Sequence, residues 1–278
     1  MDLNAVKDFK VLVVGDAIED VYRHSIPLGK GTKDPIPSVK FEREEVFRGG
    51  VWASAAHLTD LVAQVDIWHG NRLTINTKYI DPYKNKMFSV HCSRDLEQSF
   101  VPEDLKAYDL CVVFDYGLGF LDDFKRERLM RQSRFLAVNA QSNSLNFGFN
   151  RVNEKWPRAN FCVVDELEAR LAAHDAAGEI EDVIDRLWPH YPTMIITQGS
   201  SGATGFKDGQ LYHEPALTDR PIDLIGAGDA VLAVTAPFAK AGFSIKDLVH
   251  LGNVAGMVKV GILGHQDHVS RRSLEEHL

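Results

Sequence analysis

The chain has 278 residues, 45% of them hydrophobic, which is enough to bury a full core, and no run is long or charge-free enough to span a membrane. Its formal net charge of −8, with acids and bases interspersed along most segments, excludes a general nucleic-acid binder, which would gather Lys and Arg on one face. Cys92, Cys111 and Cys162 lack CxxC spacing and an even count, so they read as reduced core residues of a cytosolic, cytoplasmic protein, and nothing at Met1-Asp2-Leu3-Asn4 reads as a leader.

In chain order, Lys10-Val11-Leu12-Val13-Val14 is a β-branched, apolar run ending in Gly15-Asp16. That is the pattern of a buried parallel strand feeding a loop at the sheet edge where ligands collect. Residues 36–43 and 78–90 alternate partially, with β-branched and aromatic residues, as strands outside a main sheet would. Little room separates Val65-Asp66-Ile67-Trp68 from the strand-like Thr77-Lys78-Tyr79-Ile80. Strands at 111–114, 135–138, 161–164 and 194–197 then alternate with helical stretches at 122–132 and 180–188. This rhythm predicts one large α/β domain over 1–278 with a mostly parallel sheet.

Asp115-Tyr116-Gly117-Leu118-Gly119 follows one of these strands at its ligand edge, where Asp115 either contacts substrate or caps the next helix. Asn139-Ala140-Gln141-Ser142-Asn143-Ser144 is rich in amides and hydroxyls, which suits a neutral polyol or a capped turn equally. Asp165-Glu166-Leu167-Glu168 opens a charged helical face. Thr197-Gln198-Gly199-Ser200-Ser201-Gly202 follows a strand and can be a plain hairpin turn. Ser244-Ile245-Lys246-Asp247 gives a capping-box-like start to the helix that carries Asn253. His265-Gln266-Asp267-His268 reads as a solvated loop in preference to a metal site, since no third ligand supports it.

The most informative stretch is Pro221 to Ala230, PIDLIGAGDA. Helix-compatible residues follow it, so the amides of Gly226, Ala227, Gly228 and Asp229 fall at a helix N-terminus, unpaired and able to bind an anion. Glycines let the backbone approach phosphate oxygens without a Cβ in the way. Asp229 is then placed to orient an acceptor hydroxyl and take its proton as an O–P bond forms. A helix cap after a turning loop is the plain alternative.

These motifs together resemble the ribokinase/PfkB family of carbohydrate kinases over nearly the whole chain, with heptose-7-phosphate kinase modules of surface polysaccharide biosynthesis as the nearest kind. The resemblance implies a ribokinase-like three-layer α/β/α fold with a small β lid from strands at about 32–48 and 74–92. It implies ATP-dependent phosphorylation of a sugar or sugar phosphate, with the catalytic base at Asp229 and the anion hole at Gly226, Ala227 and Gly228. Gly15 to Tyr22 is similar to the family's GDxxxD opening, which implies sugar binding by Asp20 and by Asp16. Arg48-Gly49-Gly50 is similar to its paired glycines under the sugar, with Ser54 standing where an asparagine is usual. Thr197, Gly199 and Gly202 match its TxGxxG nucleotide motif, and Asn253 falls on the helix bordering adenine. Asp165 and Glu168 stand in its NxxE motif, which organises Mg²⁺ through water. A lid with one apolar face either closes over substrate or pairs subunits, which implies a homodimer, and a nucleotidyltransferase module is a partner the resemblance suggests.

Three departures stand out. Ile225 replaces the threonine usual before GAGD, and whether K⁺ is needed stays open because such a cation loop is built from backbone carbonyls. Val138-Asn139-Ala140-Gln141 carries no base where a basic phosphate contact is common, which leaves a sugar phosphate acceptor in question. The short middle implies a different substrate enclosure. Ile225, Asp165 and that short middle also leave open a degenerate kinase fold kept as a sugar or nucleotide-binding module, and a nucleoside kinase is a further alternative.

Overall fold

The computed structural model describes residues 1–31, 33–97 and 100–278. Its strands are β1 (Lys10–Gly15), β2 (Ala17–Lys30), β3 (Pro37–Gly50), β4 (Gln64–Trp68), β5 (Arg72–Ile80), β6 (Lys86–Asp95), β7 (Leu110–Asp115), β8 (Leu136–Ala140), β9 (Phe161–Asp165), β10 (Thr193–Thr197), β11 (Ala203–Lys207) and β12 (Gln210–Glu214). The α-helices are α1 (Val51–Ala56), α2 (Asp123–Gln132), α3 (Val152–Lys155), α4 (Glu166–Ala173), α5 (Ile180–Leu187), α6 (Ala227–Lys240), α7 (Ile245–Val260) and α8 (Arg271–Glu275).

Eight strands form the central sheet in the order β12, β11, β10, β9, β8, β7, β1, β4. From β10 to β4 all neighbours are parallel, and β11 and β12 add an antiparallel edge. Alternation along a strand sends successive side chains to opposite faces, and both faces here are apolar. Val11 and Val13 join α1, α6, α7 and α8 on one side, while Leu12 and Val14 join α2 to α5 on the other. The result is a three-layer α/β/α stack whose strands read as unbroken apolar runs in the sequence.

A second sheet, in the order β3, β2, β5, β6, is the lid. It begins earlier than the sequence suggests. The segment after Gly15, read as a loop, is instead β2, a strand of 14 residues separated from β1 by Asp16 alone. Its polar residues obscure the strand, since Glu19, Arg23 and His24 are partly exposed and interrupt the apolar run. Residue 32, the first of the expected lid range 32–48, lies outside the described residues. Only three residues part β4 from β5, in keeping with the short middle. β2 pairs in parallel with β5, setting Asp20 opposite Asn76. Cys111 and Cys162 are buried in the core, but Cys92 is exposed on β6, contrary to the reading of all three as core residues.

Candidate active site

The helix-opening glycines sit at the junction of three cavities. Gly226 is the N-cap of α6, with φ of 74°, a left-handed conformation that glycine adopts without strain. The first bond of the helix runs from Ala230 N to Gly226 O at 3.0 Å, so the amides of Gly228 and Asp229 precede its ladder. A Cβ built on Gly228 would meet nothing within 4 Å, which leaves open space over that amide.

The first cavity, about 420 Å³, is mostly apolar and is lined by Thr197, Gly199, Gly202, Leu217, Val231, Asn253 and Val260, among others. Asn253 donates from Nδ2 to Glu214 O and to Glu214 Oε2, each at 3.1 Å, which holds α7 to β12 beside it. The turn after β10 is a hairpin and also a cavity wall, so its two sequence readings coincide. Ser244 caps α7 as its sequence suggests, accepting from Asp247 N.

The second cavity, about 350 Å³, lies under the lid and contains Asp20, Gly50, Thr74, Asn76, Lys78, His91, Gln141, His265 and Asp229. Asp20 accepts from the Lys78 ammonium and from Asn76 Nδ2 at 3.2 Å, with His265 Nε2 3.4 Å from its other oxygen. Burial works against its charge, but His265 and Lys78 outweigh that and hold it below the usual carboxylate range. Gly49 is pressed against this carboxylate, where a Cβ would come within 2.5 Å of Asp20 Oδ2. Two buried atoms of the cavity's residues, Asn76 Oδ1 and His91 Nδ1, have no hydrogen-bond partner among the described residues. Buried polar atoms are seldom left so without a ligand or water to take them.

The third cavity, about 210 Å³, lies between the other two and shares Gly226, Ala227, Gly228 and Asp229 with them in turn. Asp165 and Glu168 line it, with Asn139 and Gln141. The two acids form a capping box at the start of α4: Glu168 N donates to Asp165 Oδ1 at 2.7 Å and Asp165 N to Glu168 Oε2 at 3.0 Å. Glu168 Oε1 accepts from Ser142 N at 3.0 Å. Burial, and then the nearby Asp165 charge, push Glu168 up to about 8. Asn139 Oδ1 here is buried and lacks a partner among the described residues. Oxygen donors and an orphaned amide oxygen suit a Mg²⁺ that keeps its waters, with Glu168, both oxygens already engaged, acting at one remove.

Asp229 stands where the second and third cavities meet. It is buried, accepting from Gln141 Nε2 at 2.8 Å on Oδ1 and from Tyr116 Oη at 3.0 Å on Oδ2. Burial pushes it up to about 6, while Tyr116, His265, Lys259 and Gln141 work in the other direction. A carboxylate poised near neutrality suits a proton acceptor.

Three expected acceptor contacts stand elsewhere. Asp115 is buried in a structural knot, taking Arg126 at 3.1 and 3.2 Å, Trp156 Nε1 at 3.0 Å and Gly117 N at 3.0 Å, and α2 is capped by Asp122 instead. Ser54 is fully buried and donates to Gly50 O at 2.9 Å, so it braces the glycine turn rather than reaching the cavity. Asp16 is buried outside the lining of the second cavity, with Phe120 N donating to Oδ1 at 3.3 Å, and burial and then Asp115 push it up to about 6.

Sequence reasoning missed Lys78, His91 and His265. Thr74, Asn76 and Lys78 occur at a spacing of two on β5, the signature of one polar face, and all three line the second cavity. A base therefore does reach the acceptor side, although not from the strand where it was sought. The reading of 265–268 as a solvated loop fails at His265, whose side chain is only 7% exposed and lies against Asp20.

Residues 127–271 match the profile of the pfkB family carbohydrate kinases. Among named relatives, the bifunctional protein HldE of Aeromonas salmonicida is 25% identical over 92% of this chain, and that of Azotobacter vinelandii 26% over 91%. The chain spans about three fifths of their length, 61% and 60%. Among solved structures, a ribokinase from Thermotoga maritima aligns with a TM-score of 0.75 at 13% identity, covering 97% of this chain and 99% of its own. The phosphofructokinase-2 of Escherichia coli in complex with potassium aligns with a TM-score of 0.67 at 12% identity, covering 97% and 98%. The three-layer fold with its lid is thus a ribokinase-like fold.

Proposed function

Since this chain belongs to the pfkB family of carbohydrate kinases, we propose that it transfers the γ-phosphoryl group of ATP to a hydroxyl of a sugar held beneath the lid, with Asp229 as base. The observation that carries this reading is the position of Gly226 to Asp229, shared between a mostly apolar cavity, a small polar one and the lid cavity. Adenine fits the apolar cavity, the phosphates the small polar one and the acceptor the lid cavity.

Asp20 and Gly50 hold the acceptor, with Asn76 Oδ1 and His91 Nδ1 free to meet its hydroxyls. Asp229 aligns the reacting hydroxyl with phosphorus and takes its proton, while Gly226 and Gly228 offer their amides to the moving group; the Ala227 amide, expected to be unpaired, donates to Leu224 O at 3.4 Å. Asp165 and Glu168, with Asn139, would hold Mg²⁺ through water, and the ion supplies charge neutralisation at the phosphates.

The acceptor we favour is a heptose-type sugar phosphate for surface carbohydrate, as the HldE likeness suggests, and Lys78 is the cation that would meet its phosphate. The HldE relatives are bifunctional, so a nucleotidyltransferase partner belongs to the same proposal. Exposed Phe41, Val46 and Val90 on the lid sheet support pairing of two lids in a homodimer. Sedimentation showing only monomer at micromolar concentration would remove that part. Among the described residues no helix is long and apolar enough to cross a membrane.

The test is ADP release from Mg·ATP over a panel of free sugars, heptose 7-phosphate, other sugar phosphates and nucleosides, with Asp229→Asn as control. One acceptor should stimulate turnover, and the variant should lose it by roughly 10²–10⁴-fold with nucleotide binding intact. ATP binding without stimulated turnover anywhere would favour the non-catalytic reading.

A further inference from the structure

The carboxylate at the start of the loop that leads into Gly226 has no lone pair left for a bound K⁺. Asp223, buried at its start, has four donors. Oδ1 accepts from Lys86 Nζ at 2.8 Å and Ile225 N at 3.2 Å, and Oδ2 accepts from Tyr22 Oη at 2.8 Å and Gly264 N at 3.0 Å. A carboxylate presents about four lone-pair sites, and here all are filled. On the facing loop, Gly264, whose N–H donates to Asp223, has its carbonyl O taken by Lys259 Nζ at 2.7 Å.

Lys259 is itself unusual. It lies in the last turn of α7 and is completely buried, where long charged side chains are seldom found unless paired. Its Cε lies 3.4 Å from where a Cβ on Gly226 would be, so its stem runs under the helix N-cap that begins the anion hole. Asp223, Asp229 and Asp20 are the negative groups around it, and Lys86 and His57 the nearby bases. It lines none of the three cavities, so no substrate contact accounts for it. A buried charge of this kind is retained only where fixed opposite charges and a role repay its desolvation.

We propose that Lys259 is a tethered monovalent cation: its ammonium locks Gly264 and sets a positive charge behind the Gly226 to Asp229 cradle, so that this kinase needs no K⁺. Lys259 is a positioning residue, acting through the loop and not on the phosphate. The inference rests on the reading of Gly226 to Asp229 as the phosphoryl cradle.

The test has two arms. In the first, the wild-type protein is compared in K⁺, Na⁺, Cs⁺ and tetramethylammonium chlorides at one ionic strength, reading both turnover and thermal midpoint. Both should agree within about twofold and about 1 °C, and a saturable K⁺ activation of tenfold or more, or a K⁺-specific rise in midpoint, overturns the proposal. In the second, Lys259→Ala and Lys259→Gln should lose at least tenfold in kcat with little change in acceptor KM. K⁺ or NH₄⁺ should then raise the midpoint and restore part of the rate, as Na⁺ does not. A folded variant with full activity, or one whose loss no cation relieves, overturns it. If neither variant folds, the wild-type arm decides. The thermal readings need no turnover, so an absent kinase activity would refute the proposed function while leaving the cation question answerable.

Discussion

Tyr116 Oη donates to Asp229 Oδ2 at 3.0 Å, and both residues are buried. Burial, followed by the charge of Asp229, drives the tyrosine well above its ordinary value, so it stays a phenol and a donor throughout the working range. The base is therefore held ionised by a partner that cannot itself ionise.

A pH dependence follows. Asp229 must be a carboxylate to accept a proton, and burial places its titration at about 6, so kcat/KM should rise through about pH 6 and then level. Tyr116→Phe removes a donor that favours the charged form. The titration should then move upward by about one to two pH units, as a charge-assisted hydrogen bond is worth about 1.5–3 kcal/mol. A pH–rate series on both proteins decides it, and an acid limb that stays put would mean that Asp229 is not the titrating group.

Gly49 offers a sharper probe of the acceptor side than Asp20 itself. In Gly49→Ala the new methyl would meet Asp20 Oδ2 at 2.5 Å, so the carboxylate must shift. Acceptor KM should rise by roughly tenfold or more, as misplaced polar contacts cost about 1.4 kcal/mol or more, with the KM for ATP unchanged. Equal effects on both substrates would count against Asp20 as an acceptor ligand.

Lys78→Met separates charged from neutral acceptors. Its ammonium neutralises Asp20 and also faces the lid cavity. For a sugar phosphate the variant should lose roughly tenfold to a hundredfold in kcat/KM, and for the matching free sugar clearly less. A uniform loss across both would assign Lys78 to holding Asp20 alone.

Asp115→Ala should weaken the fold rather than binding. It leaves Arg126, buried beside it, with the exposed Asp123 as its remaining ion-pair partner, and removes the acceptor of Trp156 Nε1. Breaking a buried pair from one side costs about 3–5 kcal/mol, measurable by urea denaturation. Near-wild-type stability with a raised acceptor KM would restore Asp115 to the acceptor site.

The central sheet was legible because β1 and β7 to β10 are buried on both faces and spell continuous apolar runs. The cradle was legible because glycine spacing and a carboxylate at a helix start are local features. The acceptor side was not, since Lys78 meets Asp20 across 58 residues and His265 meets it across most of the chain. Only the parallel pairing of β2 with β5 brings the first contact about, and no local pattern announces that pairing. Asp115 misled for the opposite reason: its position at a strand's ligand edge is right, but Arg126, eleven residues on, turns it inward. Lys259 did leave a trace. It falls on the same stripe of α7 as Leu248, Gly252 and Ala255, a face that is otherwise apolar and buried.

Asp16 alone parts β1 from β2, and at the same end of the lid β3 runs directly into α1 at Gly50 and Val51, so this end is the pivot for any motion of the lid. Asp20 is four residues from that pivot and Lys30 is fourteen, at about 3.4 Å each along an extended strand. A rotation about the pivot therefore sweeps the tip some three to four times as far as it moves Asp20. Any motion of the lid about that junction would therefore be felt least at Asp20 and most at the tip.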